Sequence, residues 1–196
     1  MSDLAPPNMI KRATSWIDLI AKVGAIFGVL FAVQQYLARQ ADARVERSLE
    51  YVRLYVDGGG EVAAAQRAVT RKLTEISPFL RRFKKDLETN PVGAANVWHQ
   101  TAKGLLHGSD DAAGILSQHL VLVEFFGSLE VCVAARICDE EAALAFFAGP
   151  ASAHWASFCS NILEQRDLAP DWGRGLQKFV ERTDWQRPPG LPCKVD

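Results

Sequence analysis

The side chains with the chemistry to form a site are four histidines, four cysteines and one carboxylate set among apolar residues. His99, His107, His119 and His154 form neither an HExxH nor a Glu-x-x-His pair, the spacings that place two ligands on one helical face. His154 and Cys159 are five positions apart and Glu124 and Glu130 six, so neither pair shares a face well enough to hold one ion. No metal and no cofactor is expected. Cys132, Cys138, Cys159 and Cys193 lack the C-x-x-C spacing of zinc and redox sites, and they read as reduced, mostly buried thiols.

Glu124 stands between Val123 and Phe125 in the most apolar stretch of the chain. A carboxylate there needs a cation, because an unpaired buried charge is strongly unfavourable. Arg136 or Arg166 is the expected partner, in a buried ion pair that organises the fold and has no acid–base role. No Ser/His/Asp spacing suggests a nucleophile, so no catalytic residue is expected. Gly58 to Gly60 lack both a preceding strand and the Gly-Lys-Ser/Thr element of a phosphate loop.

One charged face stands out. Around residues 78–88 Phe79, Leu80, Phe83 and Leu87 lie opposite Arg81, Arg82, Lys84 and Lys85. Four cations on a chain of net charge -1 give little phosphate affinity at physiological salt, so nucleic acid is not an expected partner. The same four residues would suit anionic lipid headgroups.

The elements that must carry these residues begin with an apolar N-terminal segment. No residue between Lys22 and Arg39 is charged. Extending that run to Trp16 and Tyr36 gives a helix about 30 Å long with an amphipathic aromatic near each end, the dimensions of a membrane span. A single transmembrane helix is therefore expected over residues 16–37, after a short tail, 1–15. Arg39, Arg44, Arg47 and Arg53 outnumber Lys11 and Arg12, which places the remainder in the cytoplasm of a bacterial cell, below its inner membrane. Gly24, Gly28 and Ala32 form a small-residue stripe on which a second helix could pack, from another copy or from a membrane-protein partner.

Residues 38–186 read as an all-α domain. Apolar residues keep helical spacing up to Asp57, where Gly58 to Gly60 stop the first helix. A second is expected over 61–76, ended by Ser77-Pro78, with a third over 78–88 and a fourth reaching His107. A long, largely buried helix is expected over 110–138. Asp139-Glu140-Glu141 opens another, closed at Gly149-Pro150, and two more are expected over 151–166 and from 171 to about 185. No stretch alternates with period two. The tail, 187–196, holds Pro188, Pro189, Pro192 and Cys193 and has no helical pattern with which to pack.

From about Ala113 to Val180 the chain carries Leu122-Val-Glu124-Phe125-Phe126, then Arg136-Ile-Cys-Asp139-Glu140, Phe146-Phe147, Trp155, Ile162-Leu163 and Arg166. In this order of features it resembles the bacterial domain-of-unknown-function family 4760, whose members place an N-terminal membrane helix before a helical cytoplasmic region. The resemblance implies that architecture and no activity. The expected function is a membrane-anchored helical interaction module, an accessory or scaffold subunit. The alternative is a membrane-tethered enzyme or toxin-like effector, which a deep polar cavity holding several of Glu124, Arg136, His119 and His154 would favour.

Overall fold

The computed structural model describes residues 7–82, 89–107, 112–183 and 193, with side chains from Lys22 onward apart from 77, 79–82, 94, 95, 112 and 113. The described residues contain six helices and no strand: α1 (Pro7–Val56), α2 (Glu61–Arg82), α3 (Pro91–His107), α4 (Ala112–Ala134), α5 (Glu140–Gln165) and α6 (Arg174–Glu181). They divide into two contact units, Met1–Ala43 and Arg44–Asp196.

In the first unit, every described side chain is exposed. Val23, Ile26, Phe27, Val29, Leu30, Phe31, Val33, Tyr36 and Leu37 all face outward. A Cβ built on Gly24 or Gly28 would meet nothing within 4 Å, and Ala32 is exposed too.

The second unit is built around α4, which packs against α2, α3, α5 and α6. A helix touched on so many sides must be apolar nearly all round. Accordingly Ile115, Leu122, Val123, Phe125, Phe126, Leu129 and Val133 are all buried. Among the described residues, Gly114–Ala134 is also the helical stretch long and apolar enough to cross a bilayer, and half of it is buried inside the domain. The part of α1 beyond Arg44 docks through aromatic contacts. Tyr55 meets Phe147 edge-on at 5.5 Å, and Tyr51 lies 5.7 Å from Phe125. Where α6 crosses α4, a Cβ on Gly175 would sit 2.6 Å from the Cα of Gly127, so glycine sets how closely the helices approach.

Local chemistry fixes several ends. α1 stops where three glycines follow Asp57. Asp139 caps α5, its carboxylate accepting from the Ala142 amide at 2.9 Å. α4 closes on a left-handed residue, Arg136, at φ 57°. The Arg136 amide donates to Val133 and the Ile137 amide to Cys132, both at 2.9 Å, the pair of bonds that satisfies the last carbonyls of a Schellman ending. This turn ends α4 at Ala134, ahead of the expected 138.

Two expected breaks are absent. α2 continues through Pro78 and α5 through Pro150, so the segments expected as separate helices over 139–149 and 151–166 are one. A proline removes one amide from the ladder, and at Pro150 helix on both sides held by tertiary packing outweighs that loss. Phe147 and Ala151, which flank Pro150, are both buried in the core.

The cysteines require a further correction. All four are in disulfides, Cys132 with Cys138 and Cys159 with Cys193. The first links the end of α4 to the turn before α5. The second brings Cys193, fully buried, into the core, so at least this residue of the tail expected to lie unpacked is packed.

Candidate functional site

Polar side chains line the contacts of α3 and α4 with α5. His99 on α3 meets Ser160 through Nδ1 at 2.9 Å, and His107 meets the Asn161 amide through Nε2 at 3.0 Å. His119 on α4 meets His154 on α5, Nδ1 to Nε2, at 3.0 Å, with the rings nearly parallel. Phe158 packs on both rings, at 4.9 and 5.0 Å. Lys103 and Glu164 close the exposed end of the α3–α5 contact at 2.7 Å.

Burial decides the protonation of the central pair. Removal from water holds His119 down to about 4, with the charge on His107 adding to the effect, and it holds His154 well below the ordinary imidazole value, helped by His119. At neutral pH both rings are uncharged, and one ring N–H donates to the other ring's lone pair. Beside them, Tyr55, Gln66, Thr70, Leu122, Phe126 and His154 line a cavity of about 170 Å³. Ligand pockets usually run to about 300 Å³ or more, so this one is too small for most substrates. Burial raises the Tyr55 hydroxyl pKa, so it stays protonated at neutral pH. A neutral imidazole pair and a protonated phenol around a small cavity make a structural seam.

The expected ion pair is not formed. Glu124 is exposed and lines an open groove of about 460 Å³ with Asp171, Trp172 and Gly173. Arg136 is exposed in its turn. Arg166 is half-buried and uses its guanidinium on neutral acceptors, donating to the Trp172 carbonyl at 2.8 Å and to the Gln177 side chain at 2.7 Å. Glu130 is the buried carboxylate, 5% exposed, and Arg182 grips both its oxygens at 2.7 and 2.8 Å while reaching Glu140 at 3.0 Å. That hydrogen bonding raises the arginine pKa further, against the opposing effect of its partial burial. The need for a buried Glu–Arg pair was legible. In sequence Glu124 and Glu130 look equally enclosed, because α4 is apolar on so many sides.

Of the cations expected to meet anionic lipid, Arg81 and Arg82 close α2 but their side chains lie outside the described residues, as do Lys84 and Lys85 altogether. The Trp16 side chain lies outside them too, while Tyr36 is exposed. Glu124, Arg136, His119 and His154 do not share a cavity: two are exposed and two are buried against each other.

Sequence spacing concealed a second cluster. His99, Cys159 and Cys193 are buried, and one ligand atom of each lies within 4.8 Å of the others. His99 precedes Cys159 by 60 residues and Cys193 follows it by 34, so no motif announces them. The chain matches no known protein family, no curated protein and no solved structure at a significant level.

Proposed function

We propose that this protein is a membrane-anchored helical interaction module, with residues 16–37 as a single transmembrane helix and residues 38–186 as the domain it tethers. The observation that carries the reading is the uncovered apolar surface of α1. From Val23 to Leu37 its large apolar side chains are exposed within a run that has no charge. So continuous an apolar surface is unfavourable in water and suits a lipid or helix partner. The Gly24, Gly28 and Ala32 stripe, open to close approach, is the proposed helix-packing face, engaging a second copy or a membrane-protein partner.

Within the domain, Val131 and Ile137 are exposed beside Tyr51, around a shallow pocket near the end of α4. Such a patch suits a protein partner better than a small substrate. The arginines after the span favour the cytoplasmic face of a bacterial inner membrane. Disulfides form and persist chiefly in oxidising compartments, so on that face the four cysteines would be thiols.

The test is fractionation of the native protein. It should stay with membranes through alkaline carbonate and come out in mild detergent with a partner or as a self-associated species. Release by carbonate would overturn the anchor. A reporter fused after residue 196 that is active only outside the cytoplasm would reverse the orientation. Gly24→Ile with Gly28→Ile should weaken assembly and leave the domain folded.

A further inference from the structure

We propose that His99, Cys159 and Cys193 form a zinc site that exchanges with the Cys159–Cys193 disulfide according to redox state. Three potential ligand atoms from three parts of the chain converge within 4.8 Å, a thiolate-thiolate-imidazole set of the kind zinc accepts. Among the described residues this is the group of histidine, cysteine and acidic side chains close enough to hold an ion. Cys132 and Cys138, equally paired as a disulfide, belong to no such group among the described residues.

The independent observation is the state of the imidazole. His99 is 6% exposed, and its Nδ1 is engaged by the Ser160 hydroxyl at 2.9 Å, while its Nε2 is buried with no hydrogen-bond partner among the described residues. Buried ring nitrogens are ordinarily satisfied, and an open one on the histidine of this group needs a reason. A histidine metal ligand has this arrangement, with one nitrogen held by an outer partner that fixes the ring and the other free to bind. A disulfide alone would leave Nε2 unexplained. A bound metal would give it a partner, and of the two histidines with an open buried nitrogen, His99 and His119, His99 is the one grouped with two cysteines.

Charge selects the ion. Two thiolates and a neutral imidazole neutralise a divalent cation, and the site, in which all three ligand residues are buried, favours a complex without net charge. Zinc would keep a fourth tetrahedral position for solvent or an exogenous ligand. The exchange balances in two steps. The disulfide takes up two electrons and two protons to give two thiols; a pair of thiols supplies them by becoming a disulfide, or a phosphine and water by becoming a phosphine oxide. Zinc then displaces the two thiol protons. In either state Cys193 stays tied to α5, so the linkage would survive reduction wherever zinc is present. The proposal stands whichever side of the membrane the domain occupies.

The test uses the full chain, untagged and in mild detergent, with Cys132→Ser and Cys138→Ser removing the other pair. Reduced with a phosphine, desalted and given one equivalent of zinc, it should retain one zinc per chain, and the oxidised sample should retain none. Cobalt in place of zinc should give the thiolate charge-transfer absorption of a tetrahedral sulfur site. Cys159→Ser or Cys193→Ser should abolish retention, His99→Gln should weaken it by more than about tenfold, and Ser160→Ala by about tenfold. Because a variant could fail to fold, the comparison of reduced with oxidised background protein decides independently. Equal zinc in both, no zinc in the reduced sample, or cobalt without thiolate absorption would each overturn the proposal.

Discussion

The N-terminal part of α1 and the whole of α4 are both long apolar helices, yet they differ in what covers them. α4 lies against four other helices and buries half of its span-length stretch, whereas the described side chains of α1 up to Ala43 are all exposed. Apolar composition therefore states that a helix must be covered and does not state by what. α4 carries two further marks of a soluble core that the α1 run lacks. One is Glu130, which a bilayer would expose at a cost of about 2.5 kcal/mol or more and which Arg182 neutralises inside the domain. The other is His119, whose Nδ1 is engaged by His154.

The sharpest test of the contrast removes one phenyl ring from each helix. Phe126→Ala empties a fully buried position and should destabilise the domain by about 3–5 kcal/mol in denaturant melts. Phe31→Ala should leave the same transition unchanged, since that ring is exposed. Equal shifts would show that the N-terminal helix packs on the domain.

Next in size is the charge on α4. Arg182→Met strands Glu130 and should cost about 3 kcal/mol, at the low end for a broken buried pair because Arg182 retains some exposure. Adding Glu130→Gln should recover much of that loss, and Glu124→Gln should change stability by less than about 0.5 kcal/mol. A large effect at Glu124 would restore the expected pair and undo the assignment to Glu130.

The histidine seam makes the cover of α4 sensitive to acid. The folded-state pKa of His119 is depressed, so the unfolded chain takes up the proton first; the contribution is complete above pH 6.5 and is lost as pH falls toward about 4. The fall from 6.5 to about 4 corresponds to about 3 kcal/mol at the acid end, with His154 acting in the same direction. His119→Leu with His154→Leu should flatten the loss between pH 6.5 and 4. A slope unchanged in that variant would place the acid sensitivity elsewhere.

The smallest effect concerns where α4 ends. Arg136 holds a left-handed backbone at φ 57° that costs a non-glycine residue about 1 kcal/mol, so Arg136→Gly should raise stability by up to about that amount. A loss in thermal melts would mean that the exposed arginine side chain makes a contact worth more than the strain.

The sequence by itself determined what local physics controls: an all-helical chain, the stop of α1 at three glycines, the cap at Asp139, an apolar N-terminal run and a buried central helix. Each depends on residues a few positions apart, where periodicity and backbone entropy act directly. Tertiary structure decided the rest. Pro150 lies inside a helix because the packing of Phe147 and Ala151 in the core outweighs one lost amide bond, and Pro78 lies inside one as well. Glu130 is paired and Glu124 is exposed because Arg182, 52 residues along the chain from Glu130, folds back over one side of α4. His99 meets Cys159 and Cys193 through the packing of α3 on α5 and the burial of Cys193 against Cys159. Encounters between residues so distant in sequence leave no spacing to read, since what joins them is which helix faces which, and that is settled only when the whole core closes.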